Sequence, residues 1–398
     1  MRVLITTPVF PPELGGPATF VPQFAAHLQR RGYQVAVLTY TDQPSGVGEY
    51  PFEVSLVRRR FLPLRIVSFF VAALRLARRA DVVLVCEHPA LPSVLAAKLS
   101  GRAVVLRFMV NSAWELSYRF GLTRDDPNRF LAADGNALVR SIKRLEAATL
   151  RRADLVVAVS QHLGDTAARL GVPTQRIFVS YNLPARAATS DRAEVRARFG
   201  IDADAFVLLV VARLVNWKGV DTVIASLAAL PDRVRLVVAG EGPMDATLRE
   251  MTARLGVGDR VRFTGRVDND TAGALMRAAD LLILNSLYEG LSHVLLEAMA
   301  NGLPVVVSDV PGNRELVDHG DNGLLFAVND RAGLEQCIVS LADSPERLRH
   351  MQQRGVERAR AIAATHTFDR LAEKLAEIGG GRPASAHPTG GASGSPRA

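Results

Sequence analysis

The 398-residue chain is 48% apolar and 22% charged, an ordinary globular balance with length for two domains that each bury a core. No run approaches the ~18 uncharged apolar residues of a membrane-spanning helix, and the N-terminus lacks a signal-peptide apolar region, so cytoplasmic residence is expected. The net charge of +8 is uneven: residues 1–185 carry 23 Lys+Arg against 13 Asp+Glu, and the remainder carries 25 against 27.

Residues 2–6 (RVLIT) read as a buried parallel strand. A loop ending in Gly15-Gly16 follows, then a helix with Phe20, Phe24, Ala25 and Leu28 on one face and a strand at 34–39. This is a βαβ unit, which implies a parallel sheet. The alternation continues through strand 54–58, helix 66–79, strand 82–86, helix 91–99 and strand 103–107. A long helix at 131–151, strand 154–159, helix 162–170 and strand 176–180 complete the first half.

Residues 183–191, rich in Pro, Ala, Ser and Thr, read as a linker, and a second βα series starts at Phe206. Its strands fall at 206–211, 234–239, 260–263, 280–284 and 304–308, with helices between them and on to about 378. The expected fold is therefore α/β, two doubly wound Rossmann-like domains at 1–185 and 186–378 facing across a cleft. Residues 379–398 are rich in Gly, Pro, Ser and Ala with little to bury, an expected disordered tail. Cys86 and Cys337 form no motif and read as reduced structural thiols.

Several strand ends carry candidate chemistry. In YEGLSHVLLEAMA (288–300), Glu289 precedes a helix whose turn and first cap are Gly290, Leu291 and Ser292, and Glu297 lies about two turns on. Free amides at that helix start suit a phosphate, and carboxylates accept from sugar hydroxyls; solvated acids on an ordinary amphipathic helix are the plain alternative. Arg213 and Lys218, after strand 206–211, form a cation pair placed to hold a diphosphate, or else two solvated loop residues. Gly15-Gly16 would let a diphosphate approach the backbone closely.

Gly240-Glu241-Gly242 opens a dinucleotide fingerprint, but Asp245 stands where glycine is required, so a tight turn beside the cleft is the better reading. Asp202-Ala-Asp204 and Asp268-Asn-Asp270 have the form of metal pairs; both read as structural, with Asp270 as a helix N-cap, and no obligatory metal is expected. His88, Asn111, Trp114 and Glu115 follow strands 82–86 and 103–107; His88, Trp114 and Glu115 are acceptor-side candidates and Asn111 a catalytic candidate, with Trp114 equally suited to stacking on a sugar or to core packing.

Between Glu53 and Asp81 there is no acid but there are seven arginines: Arg58, Arg59, Arg60, Arg65, Arg75, Arg78 and Arg79. With the apolar run between them, they offer a peripheral contact to an anionic membrane surface; a core helix with solvated charged ends serves equally well. Nucleic acid is not expected, because no binding motif accompanies the arginines. Oligomeric state is left open.

Taken together, these motifs resemble the retaining glycosyltransferases of family four, with the GT-B fold, over about residues 1–375. The likeness rests on Arg213 with Lys218-Gly219, on Glu289 and Glu297, on PVVVSDVPGNRELV (304–317) and on Gly15-Gly16 with the helix and strand that follow. It implies that Arg213 and Lys218 hold a donor diphosphate, that Glu289 contacts the transferred sugar with the amides of Gly290–Ser292 nearby, and that Glu297 binds the ribose. Backbone around Thr264, Gly265, Arg266 and Val267 would line the base, and C-terminal helices would cross back to the first domain.

The implied donor is a UDP- or GDP-sugar, with no obligatory cofactor, and the acceptor an unspecified sugar or lipid-linked hydroxyl in cell-surface polysaccharide or glycolipid synthesis. Two positions depart from the pattern. No histidine follows strand 103–107, where Val110–Glu115 keeps only the Ala-Trp-Glu of a subgroup's Gly-Asp-Tyr-Ala-Trp-Glu, and Pro311 replaces a glycine before Gly312. Asn111, standing at the expected reaction centre, has no useful proton affinity. A nucleotide-sugar-binding protein without turnover and a nucleotide-sugar epimerase are the alternatives.

Overall fold

The computed structural model describes residues 1–13, 15–42, 48–59, 61–86, 90–184 and 187–380. His88, Arg60, the expected 185/186 domain boundary and the tail from 381 lie outside the described residues.

The first half runs β1 (Arg2–Thr7), α1 (Gly16–Arg30), β2 (Gln34–Thr41), β3 (Glu53–Arg58), α2 (Leu62–Ala77), β4 (Val82–Val85), α3 (Leu91–Leu99) and β5 (Ala103–Phe108). Next come α4 (Ser112–Arg119), α5 (Pro127–Ala132), α6 (Ala137–Arg151), β6 (Leu155–Ala158), α7 (Gln161–Arg169) and β7 (Ile177–Val179). The second half runs α8 (Arg192–Arg198), β8 (Phe206–Val211), α9 (Val220–Ser226), β9 (Val234–Ala239), α10 (Asp245–Arg254), β10 (Val261–Gly265) and α11 (Asn269–Ala278). It continues with β11 (Leu281–Leu284), α12 (His293–Ala300), β12 (Val305–Ser308), α13 (Pro311–Arg314), β13 (Leu324–Phe326), α14 (Arg331–Ala342), α15 (Pro345–Thr365) and α16 (Phe368–Ile378).

The strands form a seven-stranded sheet ordered β3-β2-β1-β4-β5-β6-β7 and a six-stranded sheet ordered β10-β9-β8-β11-β12-β13. The strand pairs are parallel, as apolar runs such as FVLLVV require once helices cover both faces. In both orders the winding reverses beside the first strand of the series, between β1 and β4 and between β8 and β11. These are two Rossmann-like domains.

By compactness the chain divides into two units, one of Met1–Leu106, Arg152–Leu155 and the chain from Phe368, the other of Arg107–Arg151 and Val156–Thr367. In the first, α16 packs on α1: the Phe368 ring meets Phe20 and Phe24 at 5.8 and 5.3 Å. Asp369 accepts from Arg31 and lies 3.0 Å from His27. The last helix thus returns to the unit in which the chain begins. In the second unit, Leu208, Val210, Leu236, Leu281 and Ile283 form the core of the six-stranded sheet.

Several elements differ from the sequence reading, which places no helix at α8 and only helices where β13 lies. The expected helix 131–151 is broken into α5 and α6, because Gly135 takes φ +65° and Asn136 caps α6 by accepting from Val139 N at 2.9 Å. The stretch after β5, to which the sequence reading assigns no element, forms α4. The N-cap of α11 is Asp268, which accepts from Thr271 N at 2.8 Å, rather than Asp270.

Candidate functional site

The loops leaving β8 and β11 flank the winding reversal of the second sheet, where α/β folds place ligands. Arg213 and Lys218 lie on the first loop and Glu289 on the second. The two loops are laced together. Leu287 N donates to Trp217 O at 2.8 Å, and Asn285 Nδ2 donates to Gly219 O at 3.2 Å. Gly219 takes φ +58°, and a Cβ there would stand 2.4 Å from Asn285 O, so only glycine lets the loops meet.

Lys218 Nζ lies 2.5 Å from Glu289 Oε1, which also accepts from Ser286 Oγ at 2.6 Å. Both heads are largely shielded, with side chains 21% and 11% exposed. Glu289 therefore holds the ammonium in place, and an ammonium retains further protons to donate. Beneath them, Ser308 Oγ donates to Ser286 O at 2.7 Å and Asn313 Nδ2 to Ser308 O at 2.9 Å, a buried chain that supports the Glu289 loop. Arg213 differs: it is exposed and makes no ion pair with a described residue.

Glycines on neighbouring loops explain why these backbones can approach. A Cβ at Gly240 or Gly242 would fall 1.8 Å from Ala212 O or 2.3 Å from Leu214 O, so the glycine turn after β9 is a seat for the Arg213 loop. A Cβ at Gly312 would fall 2.3 Å from Glu289 O. Pro311, the departure noted in the sequence, occupies the first turn of α13, where a missing N–H costs nothing.

Ser292 caps α12, accepting from Leu295 N at 3.3 Å, and Gly290, Leu291 and Ser292 are buried. His293, at the start of α12, was not singled out by sequence; burial, aided by Arg107, pushes its imidazole down to about 4, so it is neutral. Burial pushes the Glu297 carboxyl up to about 7, and no described residue donates to it. A desolvated carboxyl of this kind gains by accepting hydroxyls.

The acceptor-side candidates separate. Asn111, expected at the reaction centre, is the N-cap of α4: it is 1% exposed, its Oδ1 accepts from Trp114 N at 2.9 Å and its N donates to Tyr288 Oη at 2.9 Å. Trp114 is fully buried, its Nε1 donates to Asp125 O at 2.9 Å and its ring lies 4.9 Å from that of Tyr288. It is core, not a stacking platform. Glu115 remains partly open. Burial raises its carboxyl, opposed by the positive charge of Lys218 and Arg213, and one turn along, Tyr118 meets Trp217 edge-on at 6.0 Å. Glu115 therefore belongs with the two cations.

Glu146, which sequence reasoning missed, reaches from α6 to the start of α4, accepting from Ser112 N at 2.7 Å and Ala113 N at 3.3 Å. Burial holds it up to about 7. No local pattern announces this role, because the amides it serves are over 30 residues away.

Gly265 at the end of β10 takes φ +70° and accepts from Gly240 N at 2.9 Å; Arg266 is exposed and Val267 half-buried beside it. Gly15, at φ +150°, and Gly16 begin α1 in the first unit. Asp202 pairs with Arg235 at 3.2 Å, which with the Asp268 cap gives both Asp-x-Asp pairs a structural partner. Among the described residues no cluster of His, Cys, Asp and Glu is arranged to hold a metal ion.

Solved structures share this architecture at identities that speak to fold alone. Anabaena HepE superposes with a TM-score of 0.78 at 22% identity, covering 94% of this chain and 99% of that one. WaaG, described as a glycosyltransferase of lipopolysaccharide biosynthesis, gives 0.69 at 22%, covering 96% and 100%. The class is a GT-B glycosyltransferase fold. Residues 14–183 match the family described as Glycosyltransferase Family 4, and residues 191–358 that described as Glycosyl transferases group 1. The chain belongs to glycosyltransferase family four.

Among its curated relatives, N-acetyl-alpha-D-glucosaminyl L-malate synthase of Bacillus anthracis is 31% identical over 212 residues, 52% of this chain and 55% of that protein. The lipopolysaccharide core biosynthesis mannosyltransferase LpsB of Rhizobium meliloti is 33% identical over 238 residues, 54% and 66%. The chain spans about half the length of the curated relatives it matches.

Proposed function

We propose that the protein transfers a sugar from a UDP- or GDP-sugar to a hydroxyl acceptor with retention at the anomeric carbon. The observation that carries this reading is the placement of Arg213, Lys218 and Glu289 on the two loops that flank the winding reversal of the second sheet, with Lys218 and Glu289 in contact and the desolvated Glu297 on the helix that follows. In the reaction the anomeric C–O bond to the diphosphate breaks and a bond to the acceptor oxygen forms on the same face. Arg213 and Lys218 neutralise the charge that collects on the departing diphosphate, and the acceptor proton passes to its phosphate oxygen. Glu289 orients Lys218 and faces the transferred sugar, with amides at the start of α12 beside it.

Glu297 accepts from the ribose hydroxyls, while backbone at Gly265, Arg266 and Val267 borders the base. Glu115 is the group that meets the acceptor hydroxyl, since Asn111 and Trp114 are committed to the interior. UDP is supported by HepE, whose solved structures hold UDP with glucose and UDP-glucose. Lipopolysaccharide-building relatives support a cell-surface glycan or glycolipid acceptor.

Because Asn111 is spent as a helix cap, a donor-binding protein without turnover is the second reading. The two separate when the protein is incubated with UDP- and GDP-sugars and candidate lipid and sugar acceptors and the products are examined by NMR. A glycoside with the donor's anomeric configuration is expected. An inverted glycoside would refute retention, saturable binding with no product would favour the binder, and an epimerised sugar nucleotide would replace the reading altogether.

A further inference from the structure

Helix α2 presents two unlike faces. Phe69, Ala73 and Ala77, at i, i+4 and i+8, are buried in the first unit. On the opposite side Leu64, Val67 and Val71, at i, i+3 and i+7, are 44%, 58% and 36% exposed, and Phe61 just before the helix is 67% exposed. Arg75 and Arg78 continue the same stripe into the last turn, where cations also complement the helix dipole.

The arginines in this stretch are not equivalent. Arg59 is spent on Glu13 and Asp42, at 2.7 and 2.9 Å, and Arg65 lies over the Tyr40 ring at 5.4 Å. Arg58, Arg75, Arg78 and Arg79 are exposed, and no described residue forms an ion pair with them. The membrane alternative left open by the sequence thus acquires a particular face: the side of α2 turned away from the core is apolar for two turns and then basic.

We propose that this face of α2 docks on an anionic lipid bilayer, with Phe61, Leu64, Val67 and Val71 entering the interface and Arg75 and Arg78 meeting lipid phosphates. Two features select this occupant. At 16 residues α2 is short of the ~20 needed to span a membrane, and no described helix is long and apolar enough to cross one, so an in-plane position is what its length permits. A second copy packed α2 against α2 would bring arginines against arginines, because no acid stands between Glu53 and Asp81 to pair them, and burying unpaired guanidinium groups is costly. A bilayer offers apolar depth and anionic partners together. The inference is independent of the transfer reaction and can be read without it.

The test is co-sedimentation of the full chain with phosphatidylcholine vesicles, with and without phosphatidylglycerol. Binding is expected only where phosphatidylglycerol is present, and it should weaken as salt rises. Val67→Glu/Val71→Glu, at exposed positions where Glu is the better helix former, should abolish it without lowering the melting temperature. Arg75→Ala/Arg78→Ala, which keeps the apolar stripe, should lower the vesicle partition constant about five-fold per arginine. The proposal is overturned if the wild type stays in the supernatant at low salt, or if Val67→Glu/Val71→Glu binds as the wild type does. It is equally overturned if the wild type forms a dimer that this variant disrupts while neither protein binds vesicles.

Discussion

Glu297, proposed to meet the ribose, would let one buried carboxyl report on a ligand. Its folded value of about 7 lies above that of an exposed glutamate, so the folded state holds a proton that the unfolded chain has released. The stability this contributes is fully present below about pH 4.5 and is lost as pH rises through about 7. Relative to Glu297→Gln, wild-type stability should therefore fall by on the order of 2 kcal/mol across that window, as read by chemical denaturation at a series of pH values. Donation from a ribose hydroxyl favours the ionised form. Donor affinity should then rise toward pH 7 and level off above it, with proton release on binding measurable by calorimetry in buffers of different ionisation enthalpy. A wild-type pH profile for donor binding matching that of Glu297→Gln would remove Glu297 from the site.

Other residues could not be placed by local reasoning. Trp114 suited a sugar platform and a core equally well, because an indole has both an apolar body and a donor; Tyr288, distant in sequence, decides the matter by packing on it. Asn111 reads as a polar residue at the reaction centre until a helix is seen to begin behind it.

The Glu289 loop and α12 form the element on which the site depends. Its motif was legible because its capping chemistry is local: Ser292 stands one residue before the helix and its bond reaches three residues on. The reason for Gly290 was not legible. A Cβ there would stand 2.2 Å from Met109 O, a carbonyl more than 170 residues away. Gly290→Ala should push the loop off that carbonyl, cost about 1–3 kcal/mol in thermal or urea unfolding and weaken donor binding. A variant with unchanged stability and donor affinity would show that the close approach is dispensable. Helix α4 was missed for a similar reason, since Ser112–Arg119 is of mixed polarity and its face is completed by Tyr288 and Trp217, which no periodicity within it reveals. The long apolar strands, by contrast, need no such help, and β1, β2, β8 and β9 fall within two residues of their expected ends.

At the scale of the molecule, two series of parallel strands separated by a Pro- and Ala-rich stretch were enough to define two Rossmann-like halves. The return of α16 to the unit of α1 followed only from family resemblance, because nothing within residues 368–378 names the surface that will receive it. Phe368, set among Phe20, Phe24 and His27, is the anchor. Phe368→Ala should cost about 3 kcal/mol in equilibrium unfolding, the low end for a buried aromatic, since the ring is only partly enclosed. A cost near zero would mean that the helix is merely resting on α1.

On the proposed function, Arg213 and Lys218 stabilise a departing nucleoside diphosphate. Arg213 gives the cleaner variant, because it is exposed and leaves no described partner unpaired, whereas Lys218→Ala also strands the shielded Glu289. The most direct measurement is release of nucleoside diphosphate from a panel of UDP- and GDP-sugars by wild type, Arg213→Ala and Lys218→Ala, with melting curves confirming that each protein is folded. The expected result is a fall in kcat/KM of about 10²–10³-fold in each variant on the donor that the wild type uses. Equal turnover by all three folded proteins would contradict it.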